Sequence, residues 1–330
     1  MPDFGQTQTT QIPSAVQEHY DRNLLEHSQS ALVHGLFAQK KKITESTDTI
    51  KFRKYALLPK ATIPLVEGVN PTPHRLARED ITARVSTYGA YVEVTDEVEI
   101  LNVDPILTVA SDRTGRQAGE TLDELVKNVI NAGANVMWAG GVASRNNIVS
   151  GVTVEDFRKI NRAMQNLNSP YFYEHIKAGT GQGTQPIKPS YLCITHPDVI
   201  YDLEQLTGWV PVSQYGNAAA IHDYEVGALG NFRFISTTEA KRFPGAGGSA
   251  GGGSKKATGG NNDVYTILVL SKDGYGQVDP KEGGIKTIIK SKEQVGGPLN
   301  RFSTVGWLAR TVTKILDETK IYRYEVAVSA

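Results

Sequence analysis

The chain has 330 residues, enough for one large domain or two smaller ones with a substantial core. Hydrophobic residues make up 39% and charged residues 21%, which is a globular composition. Basic and acidic residues both total 35, so the formal net charge is zero. The basic surplus typical of non-specific nucleic-acid binders is therefore absent, and near-neutrality suits a subunit that associates with its own copies.

A single cysteine, Cys193, lies in the apolar run 191–194 and is predicted to be a buried small hydrophobe. One cysteine cannot form a disulfide within the chain, which favours a reducing compartment. No run approaches the roughly 18 to 20 apolar residues of a membrane span. The first residues also lack the basic and apolar regions of a signal peptide, so we expect synthesis and use in the cytosol.

The N-terminal region is predicted to be an arm. Residues 1–12 are polar and are predicted to lack regular secondary structure. Residues 14–38 show the apolar stripe of one amphipathic helix or two short ones. Ser14 and Gln17 have the spacing of a helix capping box. Such a stripe must be buried against the chain's own domain or a neighbouring copy.

Residues 39–100 are predicted to be extended. Two strand-like runs, Thr49 to Leu58 and Ile81 to Val98, flank a proline-rich segment that is unsuited to a central strand. In the second run the apolar parity changes beside Gly89, which predicts a bulge or bend. The pattern predicts a long two-stranded arm with an irregular tip, which needs a surface to lie on.

A long helix is predicted over residues 105–138. Asp104 and Pro105 form a favourable helix start, and Gly140 with Gly141 would end the helix. At about 1.5 Å per residue this helix would be about 50 Å long.

The remainder alternates helices and strands. A helix is predicted from Thr153, with Phe157, Ile160, Met164 and Leu167 on one face, and another after His196 and Pro197. The predicted strands cover Tyr191 to Thr195, Phe232 to Ile235, Tyr265 to Leu270, Ile285 to Ile289, Val305 to Leu316 and Ile321 to Val328. The glycine-rich residues 245–260 are predicted to be a flexible surface loop.

No motif indicates catalysis. The seven histidines lack metal-ligand spacing, and residues 179–183, although glycine-rich, neither follow a clear strand nor open a helix. No GxSxG elbow or characteristic carboxylate pair is present. We therefore predict no catalytic residue, no cofactor and no metal, and a protein that is not an enzyme.

Charge is unevenly distributed along the chain. The basic stretch, residues 40–60, has seven bases and two acids, a net charge of +5; the acidic stretch, residues 93–124, has nine acids and two arginines, a net charge of −7. These stretches are either two unrelated solvated faces or complementary surfaces of neighbouring copies. The second interpretation gives these candidate contact residues: Lys51, Arg53, Lys54, Lys60, Glu93, Glu97 and Asp123.

The order of these parts resembles the major capsid proteins of tailed bacteriophages. The segments TYGAYVEVTDEVE (87–99), THPDVIYDLEQLTGW (195–209), EVGALGNFRFISTTEA (225–240), YTILVLSKDGYGQVD (265–279), VGWLARTVTKIL (305–316) and IYRYEVAV (321–328) carry the resemblance. The resemblance covers nearly the whole chain. Within this group, the chain is most similar to the uncleaved subfamily that lacks a long scaffolding segment.

The resemblance implies an α+β protein with the Hong Kong 97-type capsid fold, comprising an N-terminal arm, an extended β loop, a long spine helix, and peripheral and axial domains. The implied divisions are the arm (1–38), the extended-loop region (39–100), the peripheral domain with the spine helix (101–189), the axial domain with the glycine-rich insertion 245–260 (190–284), and the closing peripheral strands (285–330).

The implied function is self-assembly into the hexamers and pentamers of an icosahedral phage head that encloses double-stranded DNA. The alternative is an encapsulin-type nanocompartment shell protein that encloses a protein cargo. The expected partners are copies of the chain itself, separate scaffolding, portal and cement proteins, and DNA held by containment, with no membrane. The expected location is the virion capsid, assembled in the host cytoplasm.

Overall fold

A computed structural model describes residues 33–42, 49–55, 58–65, 67–68, 70–101, 106–175, 188–215, 220–222, 224–250, 255–278, 285–295, 299 and 301–330. Most of the predicted arm helix lies outside these residues, as do Asp104, Pro105 and residues 179–183. The part of the predicted arm helix that is described contains a short 3₁₀ turn, His34–Phe37.

The helices are α1 (Asp96–Leu101), α2 (Ile106–Ile130), α3 (Val154–Asn166), α4 (Pro197–Glu204) and α5 (Lys292–Val295). The strands before the central region are β1 (Gln39–Lys41), β2 (Thr49–Tyr55), β3 (Arg78–Arg84), β4 (Ser86–Thr95) and β5 (Val136–Trp138). Those of the middle of the chain are β6 (Tyr191–Thr195), β7 (Trp209–Pro211), β8 (Glu225–Leu229), β9 (Phe232–Ser236), β10 (Arg242–Phe243), β11 (Ala257–Thr258), β12 (Asn261–Asn262) and β13 (Val264–Leu270). The last strands are β14 (Tyr275–Val278), β15 (Ile285–Lys290), β16 (Phe302–Thr311), β17 (Thr313–Ile315) and β18 (Ile321–Ala327).

The main core surrounds a mixed sheet with strand order β5-β18-β13-β6-β9-β8-β7, and β10 pairs with β13. Every residue of β6 and β13 is buried, as expected for strands covered on both faces. One face packs against α3 and α4 through Phe157, Ile160 and Leu203, and the other against Val126 and Ile130 of α2. Because successive strand residues point to opposite faces, Cys193 and Leu192 lie in different halves of this core.

The spine helix α2 is shorter than predicted. It ends at Ile130 and has 25 residues, about 37 Å at 1.5 Å per residue. The apolar residues 136–138 form β5, parallel to β18, instead of continuing the helix. At the end of the helix, the backbone N–H and the side chain of Asn131 both donate to the Lys127 carbonyl, at 3.0 and 2.8 Å. Pairing with a strand from the C-terminal region thus overrides the helical periodicity.

The two-stranded arm is present, with β2 and β3 antiparallel and Thr49 opposite Arg84. The prediction of one run to Val98 with a bend at Gly89 was wrong, because the break is at Val85. Strands β3 and β4 on either side of it belong to different sheets. Val98 lies in α1, and β4 joins β16 and β15 in a three-stranded sheet whose inner face packs on α2 through Trp307 and Leu122.

The glycine-rich region is more ordered than predicted in its described parts, residues 245–250 and 255–260. Gly247 is buried, its N–H donates to the Asn262 carbonyl at 2.8 Å, and Gly248 donates to Ile148 at 2.9 Å. A Cβ on Gly247 would lie 2.8 Å from the Asn262 oxygen, so the absence of a side chain is needed for this close packing. Residues 251–254 lie outside the described residues.

The other predicted elements were largely confirmed. Helix α3 begins after Thr153, whose side chain accepts from the Asp156 N–H, but Leu167 is exposed beyond its end. The helix predicted near His196 and Pro197 is α4, and the side chain of His196 caps its start. The predicted strand 305–316 is divided into β16 and β17. Among the described residues, no helix combines the length and the apolar character needed to cross a membrane.

Candidate self-association surfaces

The base of the β2–β3 arm is anchored to its own chain. Ile50 and Phe52 alternate inward on β2 and pack with Val278 of β14. The Lys41 ammonium also donates to the Lys51 carbonyl. The base of the arm is therefore fixed by packing within its own subunit.

The tip of the arm, defined as residues 58–65 and 67–77, is exposed wherever it is described. Ile63 is 84% exposed, Leu65 75% and Leu76 68%. Isolated exposed apolar residues are normal, but several on one extended segment indicate an interaction surface. Pro59, Pro64, Pro71 and Pro73 lack a backbone donor, so this segment is poorly suited to pairing as a regular strand.

The four basic candidates have different surroundings. Arg53 lies 3.8 Å from Asp80 within the arm, and Lys54 lies 2.8 Å from Asp317 of the same chain. Burial alone would raise the pKa of Asp317, but hydrogen bonds from Lys54 and Thr319 outweigh it and hold this pKa below its usual value. Lys51 and Lys60 are exposed and form no ion pair within the described part of the chain.

The acidic candidates also differ in whether they are paired within their own chain. Glu93 is exposed on β4, whereas Glu97 lies 2.6 Å from Arg301 of its own chain. Asp123 requires a correction, because its side chain is fully buried within the subunit. It accepts the His34 N–H at 2.7 Å and lies 2.6 Å from the His34 Nδ1. An interface on the subunit surface therefore cannot use Asp123.

A second surface, which the sequence analysis missed, lies on the outer face of the β15–β16–β4 sheet. In the sheet register, Ile288 is opposite Gly306, and Gly306 is opposite Tyr91. These residues form the middle of an open groove of about 590 Å³, also lined by Leu308, Glu93 and Lys290. Tyr91 is 67% exposed. The alternation in 285–290 could have indicated Ile288, since it points outward between two lysines.

Gly306 lies where strands β16 and β4 approach each other closely beneath this outer groove. It is buried, and a Cβ at this position would lie only 2.7 Å from the Tyr91 Cβ, so a side chain would crowd the neighbouring strand. Glycine in a strand interior costs stability and commonly marks a close approach by another group, which here is β4.

The buried ionisable groups are paired inside the subunit. Glu325 is fully buried and accepts from Trp138 Nε1 at 3.0 Å and Arg145 Nη2 at 2.6 Å. Glu225 accepts from Arg233 Nη1 at 2.6 Å. Burial holds the pKa of the Cys193 thiol well above its usual value, which keeps the thiol unreactive. The described residues hold no cluster of three or more metal-ligating side chains.

Buried charges that are paired within the subunit, together with an exposed apolar tip, are the features of a structural subunit that associates with other chains. The profile of the phage capsid protein family matches residues 78–324. The chain belongs to this family, as a tailed-phage major capsid protein. It is a structural component of the virion capsid and not an enzyme.

Solved structures show the same fold. The capsid of Ralstonia phage GP4 aligns with a TM-score of 0.64 at 14% identity, over 90% of this chain and 89% of that chain. The capsid of cyanophage P-SCSP1u gives a TM-score of 0.60 at 17% identity over 90% and 89%, and that of cyanophage Pam1 gives 0.59 at 12% over 92% of each chain. The predicted Hong Kong 97-type fold is thereby confirmed.

No curated protein matches the chain significantly. The family and structural matches give no support to the alternative of a nanocompartment shell protein. They imply assembly of many copies into a capsid shell.

Proposed function

We propose that the chain forms hexamers and pentamers that close into an icosahedral head around double-stranded DNA. The observation that carries this proposal is the apolar tip, which the described parts of its own chain leave uncovered. A contact between different patches of identical subunits forms rings when its rotation closes. With zero net charge, the subunit would hold DNA by containment and not by a strong non-specific affinity.

We still propose an electrostatic contact between neighbouring copies, but fewer residues support it than the sequence indicated. Lys51, Lys60 and Glu93 support it best, because they are exposed and have no ionic partner in the described part of the chain. Arg53, Lys54 and Glu97 would first have to leave or share partners within their own subunit. Exposed pairs contribute about 0–1 kcal/mol each, but every ring repeats them.

The proposed divisions of the subunit remain the arm (1–38), extended-loop region (39–100), peripheral regions (101–189 and 285–330) and axial domain (190–284). Scaffolding, portal and cement proteins are proposed as separate partners, since a closed head needs an entry point for DNA and a guide to its curvature.

Electron microscopy of the purified protein at increasing concentration tests the proposal. Icosahedral particles with six-fold and five-fold capsomers are expected, and virions should yield genome-length, nuclease-protected DNA. Open sheets, or closed particles that contain only protein cargo, would contradict it.

Charge reversal tests the contact. Lys60→Glu should lower the particle yield at low salt, and Glu93→Lys in the same chain should partly restore it. Arg162→Glu, on the exposed side of α3, is the matched control and should assemble normally. Circular dichroism checks that each variant is folded. A normal yield from Lys60→Glu would mean that the basic and acidic stretches are only solvated faces.

A further inference from the structure

The ion pairs around Glu325 leave an excess of positive charge. The Glu325 carboxylate is fully buried and accepts three hydrogen bonds, two from Arg145 at 2.8 and 2.6 Å and one from Trp138 at 3.0 Å. A second guanidinium, that of Arg323, has its Nε 2.8 Å from Glu325 Oε1, but this Nε makes no hydrogen bond to any residue that the structure describes. Two arginines therefore share one negative charge.

A third cation, Lys241, lies beside this group. The Arg145 Cζ is 3.6 Å from the centre of the Phe243 ring, and the Lys241 Nζ is 5.9 Å from the same centre. Lys241 donates to the neutral side chain of Asn128 at 2.9 Å and forms no ion pair with a described residue. Three cations and one carboxylate leave a net charge of +2 around the Phe243 ring.

This excess charge is only partly exposed to water. The side chain of Arg323 is 13% exposed and that of Arg145 is 29% exposed, so the two positive charges are incompletely screened. Burial is the main cause that lowers the pKa of Arg323, and the charge of Arg145 lowers it further against the attraction of Glu325. The carboxylate of Glu239 is paired with Lys127 at 3.4 Å. An additional anion would therefore be stabilised here.

We propose that Arg145, Arg323 and Lys241 form a binding site for an oxyanion of the phosphate class, which is either inorganic phosphate or a phosphate of a nucleic-acid backbone. Arg323 belongs to β18 of the main sheet, whereas the outer groove belongs to the β15–β16–β4 sheet. The site is thus distinct from the surfaces assigned to self-association, and the inference does not depend on the proposed assembly.

The chemistry of the three cations favours phosphate over a carboxylate. A phosphate group carries a charge of about −1.5 to −2 near neutral pH and several acceptor oxygens, which matches the excess of +2. A single carboxylate would cancel only half of this charge. Guanidinium groups bind phosphate oxygens through paired donors, and a lysine ammonium adds a point charge. The Glu325 carboxylate can keep its own hydrogen bonds while the anion binds.

Isothermal titration calorimetry with inorganic phosphate tests the site, at an ionic strength held constant with sodium chloride. We expect saturable binding of one phosphate per subunit. Lys241→Gln should weaken this binding about ten-fold, because it removes a charge-assisted hydrogen bond. Lys314→Gln is the matched control, since Lys314 is exposed on β17 and its loss should leave the affinity unchanged. Circular dichroism checks that both variants are folded.

A short DNA duplex added to the same titration distinguishes the two sources of phosphate. Displacement of inorganic phosphate by the duplex would assign the site to a nucleic-acid backbone, and an unchanged phosphate affinity would assign it to the free ion. Absence of saturable phosphate binding to the wild-type protein would overturn the proposal, as would equal affinities of Lys241→Gln and Lys314→Gln. Neither result bears on assembly, which electron microscopy tests separately.

Discussion

Replacing Asp123 by alanine should strongly destabilise the subunit. Asp123 on α2 holds the segment that precedes β1, accepting the His34 N–H at 2.7 Å and lying 2.6 Å from the imidazole Nδ1. An ionised carboxylate only accepts, so Nδ1 carries the hydrogen in this arrangement. The hydroxyl of Tyr275 donates to the His34 carbonyl, so the same turn is also fixed from β14. All three side chains are buried.

The magnitude follows from the groups left unpaired. Asp123→Ala leaves two buried donors of His34 without an acceptor, at about 1–3 kcal/mol each. Alanine is a better helix former than aspartate and returns about 0.7 kcal/mol. The buried pair therefore dominates, and we expect the free energy of unfolding to fall by about 2–5 kcal/mol. Asp123→Asn keeps an acceptor for the backbone N–H and should lose less.

Urea unfolding of the unassembled subunit, followed by circular dichroism, measures the effect. Glu124→Ala is the control, because Glu124 is the exposed neighbour on the same helix and its loss should change stability by less than about 0.5 kcal/mol. Hydrogen exchange of residues 34–37 should accelerate in Asp123→Ala. A loss below about 1 kcal/mol would refute the reasoning that this pair fixes the segment.

Gly247→Ala should lower the free energy of unfolding by about 1–3 kcal/mol, because its Cβ would crowd the carbonyls of Asn262 and Ile148. The control is Ser249→Ala at an exposed position, which should keep the wild-type midpoint of urea unfolding. Equal midpoints for the two variants would contradict the close packing of Gly247. Since the pKa of Asp317 is lowered in the folded state, its stabilising contribution is present above the unfolded carboxyl value of about 3.9 and is lost as the pH falls through the folded value. Lys54→Met should therefore cost up to about 1 kcal/mol at pH 6 and much less at pH 2, and equal losses at both pH values would argue against the pairing. Cys193 should react with a maleimide only as the protein unfolds in urea, because burial keeps its thiol protonated and covered; rapid labelling in native buffer would refute this.

The elements that were predicted correctly are those whose structure is determined by residues close together in the sequence. The largely apolar runs of β6 and β13 and the capped start of α3 are set by neighbouring residues. The strands, their burial and the helix start therefore follow from the sequence. The end of α2 depends instead on a distant partner. The side chain of Trp138 donates to Glu325, 187 residues away, and no local periodicity reveals that β5 pairs there.

The candidate site shows the same division. The irregular tip could be predicted because its prolines are a local signal, whereas the exposure of its apolar residues was not predicted. Asp123 was misassigned because a carboxylate on a helix usually faces solvent, and its buried partner His34 lies 89 residues earlier in the chain. The outer groove depends on the register of three strands, which places Gly306 between Tyr91 and Ile288. That register follows from tertiary pairing and not from any one of the strands.

The small sheet that holds the start of the described chain also has a consequence for the order of events during synthesis. Among the described strands, β1 pairs with β14 alone, and β14 pairs in turn with β17. Residues near position 40 therefore find these partners beyond position 274. At about 5–20 residues per second, the ribosome needs roughly 12–50 s to make the intervening segment. The β2–β3 arm, which packs on β14, is unanchored throughout that interval. A nascent chain thus cannot present a correctly placed arm to its neighbours until translation is almost complete, which delays shell contacts until the rest of the subunit has folded.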